Sequence, residues 1–170
     1  MQSPCLAIVA GAGDLPIQIV EHCKNDNIDF KIIHFEGVDL HWLKQLPVIN
    51  AKFEKPNALF ASLNDCGCNQ VVFAGAMKRP KLNPLKFDAK FLKIASKLLP
   101  ALKSGDDTTL KIIAEIFEKE GFEIIATDKI LKNIFVSEGV SFFNTMNPHG
   151  NWPSRQLYVA HSSWPHRPVY

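Results

Sequence analysis

The sequence predicts an α/β fold with a mostly parallel sheet, because short apolar runs alternate with helical patterns over about residues 4–135. The first run, Cys5–Ala10, reads CLAIVA and ends in Gly11-Ala12-Gly13, and a later run, Gln70–Ala74, reads QVVFA and ends in Gly75. Continuous apolar runs of this length are typical of strands that are buried on both faces. Strands that alternate with helices through short connections indicate a doubly wound sheet.

The other elements follow from hydrophobic period and from helix start and stop residues. Apolar residues three or four positions apart predict helices, and an Asp or Pro near the first turn supports several of them. After residue 135 no clear period remains, so an irregular C-terminal tail is expected. The predicted order is strand Cys5–Ala10, helix Leu15–Cys23, strand Phe30–Phe35, loop or short helix Val38–Leu46, strand Val48–Phe53, helix Asn57–Asn64, strand Gln70–Ala74, helix Asp88–Leu102, helix Asp106–Glu120 and strand Phe122–Ala126.

Composition and charge exclude several classes of protein. The chain has 170 residues, of which 46% are hydrophobic, so a folded core is expected and uniform disorder is excluded. The net charge of +2 argues against a nucleic-acid partner. No apolar run approaches the length of a membrane span, and no basic stretch precedes the first apolar run. A membrane span and a secretory signal peptide are therefore disfavoured.

The four cysteines are Cys5, Cys23, Cys66 and Cys68. Cys5 and Cys23 fall in runs predicted to be buried, and Cys66-Gly67-Cys68 is not a C-x-x-C pair and has no second ligand pair at zinc spacing. The expectation is four reduced, mainly structural cysteines.

The last thirty residues differ in composition from the rest of the chain. Residues 1–140 contain 17 Lys+Arg and 17 Asp+Glu, whereas residues 141–170 contain no Asp, Glu or Lys and carry only Arg155 and Arg167. The tail also holds both Tyr residues and two of the three Trp residues. Its aromatic side chains could adhere to the body or to a second copy of the chain, so homo-oligomerisation stays open.

The first candidate site is Gly11-Ala12-Gly13-Asp14-Leu15-Pro16, between the first strand and the first helix. In open α/β sheets ligands bind beyond the carboxyl ends of the strands, and two glycines allow the backbone to approach a ligand. Pro16 occupies the third glycine position of G-x-G-x-x-G, which disfavours a plain dinucleotide site, and Asp14 would repel a phosphate placed on it. A nucleotide contact and a tight turn before a capped helix are equally supported.

The second candidate site is Gly75-Ala76-Met77-Lys78-Arg79-Pro80, after the QVVFA strand. Two cations after a strand-ending glycine suit phosphate recognition, because a guanidinium can bind two oxygens at once. Arg79 is the single Arg among the first 140 residues, which indicates a geometric need in a chain that otherwise uses Lys. A solvated basic turn is the alternative.

The third candidate site is Gly105-Asp106-Asp107, at the start of a predicted helix. Adjacent carboxylates can bind Mg²⁺ together with substrate phosphates and water. The same residues can instead cap the helix and oppose its dipole, which is the more common role.

Two weaker features remain. Glu36 or Asp39, after the second strand, could accept a hydrogen bond from a ribose hydroxyl, although a lone loop acid is usually solvated. The stretch Lys81–Lys103 combines lysines with apolar residues and could contact an anionic membrane, although a solvated face of a core-packed helix is favoured.

Taken in order, four motifs resemble the UDP-2,3-diacylglucosamine pyrophosphatases of the LpxI type, which act in bacterial lipid A biosynthesis. The motifs are GAGDLP, GAMKRP, SGDDTTL and EKEGFEIIATDKIL, and the resemblance covers about residues 4–139. It implies a Rossmann-like N-terminal domain and hydrolysis at the α-phosphate to UMP and 2,3-diacylglucosamine 1-phosphate (lipid X). It also implies a divalent metal, typically Mg²⁺, a nucleotide-sugar lipid substrate and a cytoplasmic enzyme at the inner face of the inner membrane. The implied substrate-binding residues are Gly11, Ala12, Gly13, Leu15, Pro16, Gly75, Lys78, Arg79 and Pro80, and Gly105, Asp106 and Asp107 match the third motif.

The resemblance ends near residue 140, before the second domain that carries the acidic residues of such enzymes. The expectation is a Rossmann-like domain at 1–140 and an atypical tail at 141–170, produced by a frameshift or truncation or as a divergent extension. The chain alone is expected to be inactive, with its catalytic residues in the absent domain. The alternatives are a non-catalytic nucleotide-sugar binding module and a nicotinamide-dependent oxidoreductase.

Overall fold

The described strands form one five-stranded sheet in which every pairing is parallel. The computed structural model of the chain describes residues 5–77, 80–104 and 106–131, without the side chains of residues 104, 106 and 107. Across the sheet, the strands stand in the order third, second, first, fourth and fifth, counted along the chain. The chain therefore moves outward from the first strand in one direction and then returns to continue on its other side. The predicted α/β class with a parallel sheet is confirmed.

Most elements have bounds close to those predicted, and the first two strands match residue for residue. Residues 36–47 form a loop with turns, so the alternative of a short helix there is wrong. The last strand is shorter than predicted. The strands are β1 Cys5–Ala10, β2 Phe30–Phe35, β3 Val48–Ala51, β4 Cys68–Ala74 and β5 Glu123–Ile124, and the helices are α1 Leu15–Asn25, α2 Pro56–Asp65, α3 Ala89–Ser104 and α4 Asp106–Lys119.

The core lies on both faces of β1, which is buried at every position. Cys5, Ala7 and Val9 belong to a cluster that also contains buried residues of α2 and α4. The alternate residues Leu6, Ile8 and Ala10 face the other side of the sheet, because successive side chains of a strand point in opposite directions. Burial on both faces explains why the CLAIVA run is continuously apolar.

The Asp88 carboxylate connects the beginnings of two helices. Phe91 N–H donates to Asp88 Oδ1 over 2.6 Å, in the first turn of α3, and Asn57 N–H donates to Asp88 Oδ2 over 2.9 Å, in the first turn of α2. The residue before α2 is Lys55, which supplies no side-chain cap. Asp88 therefore caps its own helix and a helix that begins about 30 residues earlier, since Asn57 and Asp88 are 31 positions apart.

Cys5 and Cys68 are paired as a disulfide between β1 and β4, with their Cα atoms 4.4 Å apart. The two residues are register partners on adjacent strands, at the amino ends of both. The expectation that all four cysteines are reduced is wrong for this pair. The sequence places these residues 63 positions apart, and only the strand pairing brings them together.

The other two cysteines, Cys23 and Cys66, are free thiols in different surroundings. Burial in α1, followed by the negative charge of Asp26, raises the pKa of Cys23 to about 11 from its ordinary 9.0. The buried neutral thiol therefore favours the folded state below about pH 9, and this contribution is lost as the pH rises towards 11. Cys66 is exposed.

Alkylation without reductant is expected to modify Cys66 rapidly and to spare Cys23 until the chain unfolds, because the reactive species is the exposed thiolate. Peptide mass spectrometry after iodoacetamide treatment at about pH 8, near the ordinary pKa of a thiol, measures this. Cys66→Ser should abolish the fast phase, whereas Cys23→Ala should leave it unchanged. Equal rates at both thiols in native buffer would contradict the burial of Cys23.

The described residues up to Thr127 belong to one compact unit, and the last described residues, from Asp128 onward, are assigned to a second. All the strands and helices named above lie in the first unit. In the described part of the chain, no helix has the length and apolarity that a membrane span requires. The predicted tail at 141–170 lies outside the described residues, and the boundary at residue 140 stays a prediction.

Candidate functional site

The turns that follow β1 and β4 meet at the carboxyl edge of the sheet. Ala12 N–H donates to Ala76 O over 2.8 Å, and Ala76 N–H donates to Ala12 O over 2.9 Å, as an isolated antiparallel bridge. Gly11 N–H also donates to Ala74 O over 2.7 Å. The first and second candidate segments, 64 positions apart in the sequence when counted from Gly11 to Gly75, are therefore in direct contact at this edge.

Two glycines permit this contact. A Cβ atom on Gly11 would lie 2.6 Å from Ala76 O, and one on Gly75 would lie 2.6 Å from Ala12 O. Gly75 also has a φ of +83°, which residues with a side chain rarely adopt. At Gly11, the close backbone contact alone disfavours a residue with a side chain. Both glycines therefore have a structural reason to be present, independent of any ligand.

The first turn presents three exposed residues, Ala12, Gly13 and Asp14, and Leu15 is half-buried. Pro16 is fully buried in the first turn of α1, so it supports the turn from within the protein. Asp14 is the N-cap residue of α1, although its side chain makes no capping hydrogen bond. Its carboxylate is free to face solvent or a ligand.

The second turn is described at Gly75, Ala76, Met77 and Pro80, and Lys78 and Arg79 lie outside the described residues. Met77 packs against the core cluster, and Pro80 is half-buried. The predicted recognition of phosphate by the two cations stays a prediction.

The third segment lies between two helices, because α3 ends at Ser104 and α4 begins at Asp106. Gly105 and the side chains of Asp106 and Asp107 lie outside the described residues. Since α4 leads directly into β5, the start of α4 is on the carboxyl side of the sheet, where the other two segments also are. The choice between metal binding and helix capping stays open.

His34 fixes the start of the loop that leaves β2. Its Nε2 donates to Val38 O over 2.7 Å, and its Nδ1 lies 3.2 Å from Asn50 Oδ1 on β3. Because Val38 directly precedes Asp39, the imidazole holds the backbone next to one of the two loop acids. His34 thus has a structural role in positioning the loop.

The structure separates the two acids that the sequence left as equal candidates. Glu36 is paired with Lys52, with 3.0 Å between Oε2 and Nζ. The hydrogen bond from Lys52, and then the charge of that ammonium, lower the pKa of Glu36. Asp39 instead lines a cavity, and its carboxylate contacts the exposed His41 imidazole at 3.2 Å. Of the two loop acids, Asp39 is therefore the one that lines the cavity.

The cavity is an open depression of the surface between the first turn and the β2–β3 loop, with a volume of about 350 Å³. One wall is formed by the turn after β1 and the first turn of α1, and the other by the loop after β2. A Cβ on Gly13 would meet nothing within 4 Å, so the space in front of this residue is open. The lining residues are Ala12, Gly13, Asp14, Ile17, Asp39, Leu40, His41 and Trp42.

Sequence reasoning missed the contributions of Leu40, His41 and Trp42 to this cavity. The available signal was Trp42, which is the single Trp of residues 1–140 and follows shortly after the second predicted strand. The loop has no motif of its own, and its proximity to Gly13 depends on the pairing of β1 with β2.

The parallel order β3-β2-β1-β4-β5, with glycine turns and a cavity at the carboxyl ends of its strands, defines a Rossmann-like α/β domain. The chain belongs to the LpxI family: residues 5–134 match the family model described as the LpxI N-terminal domain. The resemblance identified from the four motifs is thereby confirmed.

A curated relative is the UDP-2,3-diacylglucosamine pyrophosphatase LpxI of Caulobacter vibrioides. The two sequences are 31% identical over 134 residues, which cover 79% of this chain and 48% of the relative. The chain therefore spans about half the length of this relative.

Proposed function

We propose that this chain is the substrate-binding half of a UDP-2,3-diacylglucosamine pyrophosphatase of lipid A biosynthesis. The complete enzyme hydrolyses its substrate at the α-phosphate to UMP and 2,3-diacylglucosamine 1-phosphate (lipid X). The observation that carries the proposal is the match of residues 5–134 to the LpxI N-terminal domain. The relative's activity belongs to a chain about twice the length of the matched region, so catalysis is assigned to the second half.

The described residues contribute binding surface in this proposal. Backbone groups of the first turn and the cavity wall would hold the nucleotide, and the turn after β4 would bring Lys78 and Arg79 to the phosphates. Cations at that position would offset the charge that develops on the phosphoryl oxygens. The attacking water and its activation are assigned to the second half.

A divalent metal, typically Mg²⁺, is also part of the proposal. When bound, such an ion polarises a phosphoryl oxygen and neutralises charge. Within the described residues, no group of three or more His, Cys, Asp or Glu could hold a metal ion. The described residues form no complete metal site by themselves, and Asp106 and Asp107, whose side chains lie outside the described residues, stay candidates for part of it.

A cytoplasmic location at the inner face of the inner membrane belongs to the same proposal. Leu85 is 95% exposed and Leu92 is 62% exposed, and both lie in the Lys-rich stretch 81–103. Exposed leucines among lysines suit contact with an anionic membrane. Disulfides are rare in the cytosol, so the redox state of the Cys5–Cys68 pair in cells is a separate test of this location.

The test is release of UMP from UDP-2,3-diacylglucosamine with Mg²⁺, with the full-length Caulobacter enzyme as the positive control. The chain alone is expected to show no turnover above the uncatalysed background and to be stabilised by UMP in a thermal-shift assay. Turnover comparable to that of the control would contradict the assignment of catalysis to the second half. Stabilisation by NAD and not by UMP would contradict the proposal and favour the oxidoreductase alternative.

A further inference from the structure

The cavity beside Gly13 has a charge that limits the part of a nucleotide it can accept. Asp14 and Asp39 line it, and among its described lining residues only His41 can carry a positive charge. Asp39 and His41 are 80% and 89% exposed, so a ligand can replace their mutual contact without disrupting the core. Two carboxylates disfavour a phosphate in this space and permit a neutral group with hydroxyl donors.

The aromatic wall and the volume suit a base and a sugar. Trp42 is one of the lining residues. Stacking on an aromatic side chain contributes binding free energy for any base, because every base has a π-face. The volume of about 350 Å³ falls at the lower end of the range of roughly 300–1,000 Å³ for small-molecule sites. Ionised carboxylates only accept hydrogen bonds, and a ribose diol supplies two hydroxyl donors.

We infer that this cavity binds the uridine part of a uridine nucleotide, with the base against Trp42 and a ribose hydroxyl donating to Asp39. The inference rests on the proposed function for the choice of uridine, and it assigns the first turn to the nucleoside and not to the phosphates. The space in front of Gly13 is open, so a ligand can lie directly against the first turn. In this arrangement the phosphates lie outside the acidic cavity, on the side of the turn after β4. That turn is joined to the first turn by the bridge between Ala12 and Ala76.

The measurement is ligand-observed NMR, which detects weak binding through the uracil and ribose protons of UMP. Trp42→Ala is expected to weaken UMP binding roughly tenfold, the effect of losing one stacked base, whereas Trp42→Phe retains most of the affinity. Asp39→Asn is expected to weaken the preference of the unmodified chain for UMP over 2′-deoxy-UMP, because the amide keeps one acceptor oxygen but loses the negative charge. Uridine should compete with UMP, and inorganic phosphate should not displace uridine.

Glu36→Gln is the matched control, because Glu36 is an exposed acid of the same loop that is paired with Lys52 outside the cavity lining. It is expected to bind UMP as the unmodified chain does, and unfolding curves without ligand confirm that each variant is folded. Unchanged UMP binding by both Trp42→Ala and Asp39→Asn would overturn the inference and leave the proposed function standing. Failure of the unmodified chain to bind UMP at all would contradict the proposed function itself.

Discussion

Gly75→Ala is expected to lower the free energy of unfolding by about 3 kcal/mol or more, because two separate penalties act at this position. The new Cβ would lie 2.6 Å from Ala12 O, and forcing an extra methyl group into a packed site costs about 1–3 kcal/mol. The φ of +83° adds roughly 1–2 kcal/mol for a residue with a side chain. The obstructing atoms belong to the backbone, so no rotamer change can relieve the contact.

Gly11→Ala and Gly37→Ala separate these penalties in the same experiment. Gly11 meets the opposing turn at 2.6 Å but has no left-handed φ, so its replacement reports the backbone contact. Gly37 has a φ of +91°, and a Cβ there would meet nothing within 4 Å, so its replacement reports conformational strain. Urea denaturation should rank the losses as Gly75 greater than Gly11 and Gly11 greater than Gly37. Near-equal stability of Gly11→Ala and the unmodified chain would contradict the close approach of the two turns.

Asp88→Ala is expected to destabilise the chain by about 2 kcal/mol, twice the typical cost of losing one helix cap. The substitution leaves two amides without their acceptor, Phe91 N–H in α3 and Asn57 N–H in α2. Asp88→Asn should lose about half as much, because its amide retains one acceptor oxygen and places a donor group at the other position. Thermal or urea unfolding measures both changes.

Asp29→Ala is the matched control for Asp88, since Asp29 is exposed and its described hydrogen bond is made by the backbone carbonyl. It should change stability by less than about 0.5 kcal/mol, as is usual at such surface positions. Equal losses for Asp88→Ala and Asp29→Ala would show that the shared cap does not stabilise the two helices.

Local patterns were sufficient to predict the fold class. The runs CLAIVA and FKIIHF predicted β1 and β2 with correct bounds. A strand that is buried on one or both faces has a recognisable pattern of apolar residues in the sequence. β5 was predicted too long, since Phe122 N–H donates to Phe117 O and closes the turn after α4 before pairing with β4 begins. Because Phe122 is apolar like a strand residue, the sequence does not show where this turn ends and the strand begins.

The candidate site was predicted only in part. The glycine turns after β1 and β4 were identified from their strands, but their mutual contact was not, because strand order is absent from local periodicity. Nothing in the residue order favoured Asp39 over Glu36. That preference depends on Lys52, which binds Glu36 from the chain segment beyond β3.

The α/β class, the family and the segments at the carboxyl edge of the sheet were all predictable from the amino-acid sequence. These properties follow from composition, period and short motifs, which are local. Four other features became visible only in three dimensions: the Gly11–Gly75 approach, the Cys5–Cys68 pair, the shared cap at Asp88 and the cavity beside Trp42. Each of these joins residues remote in the chain, and such contacts arise only when the strands have paired and the helices have packed on them.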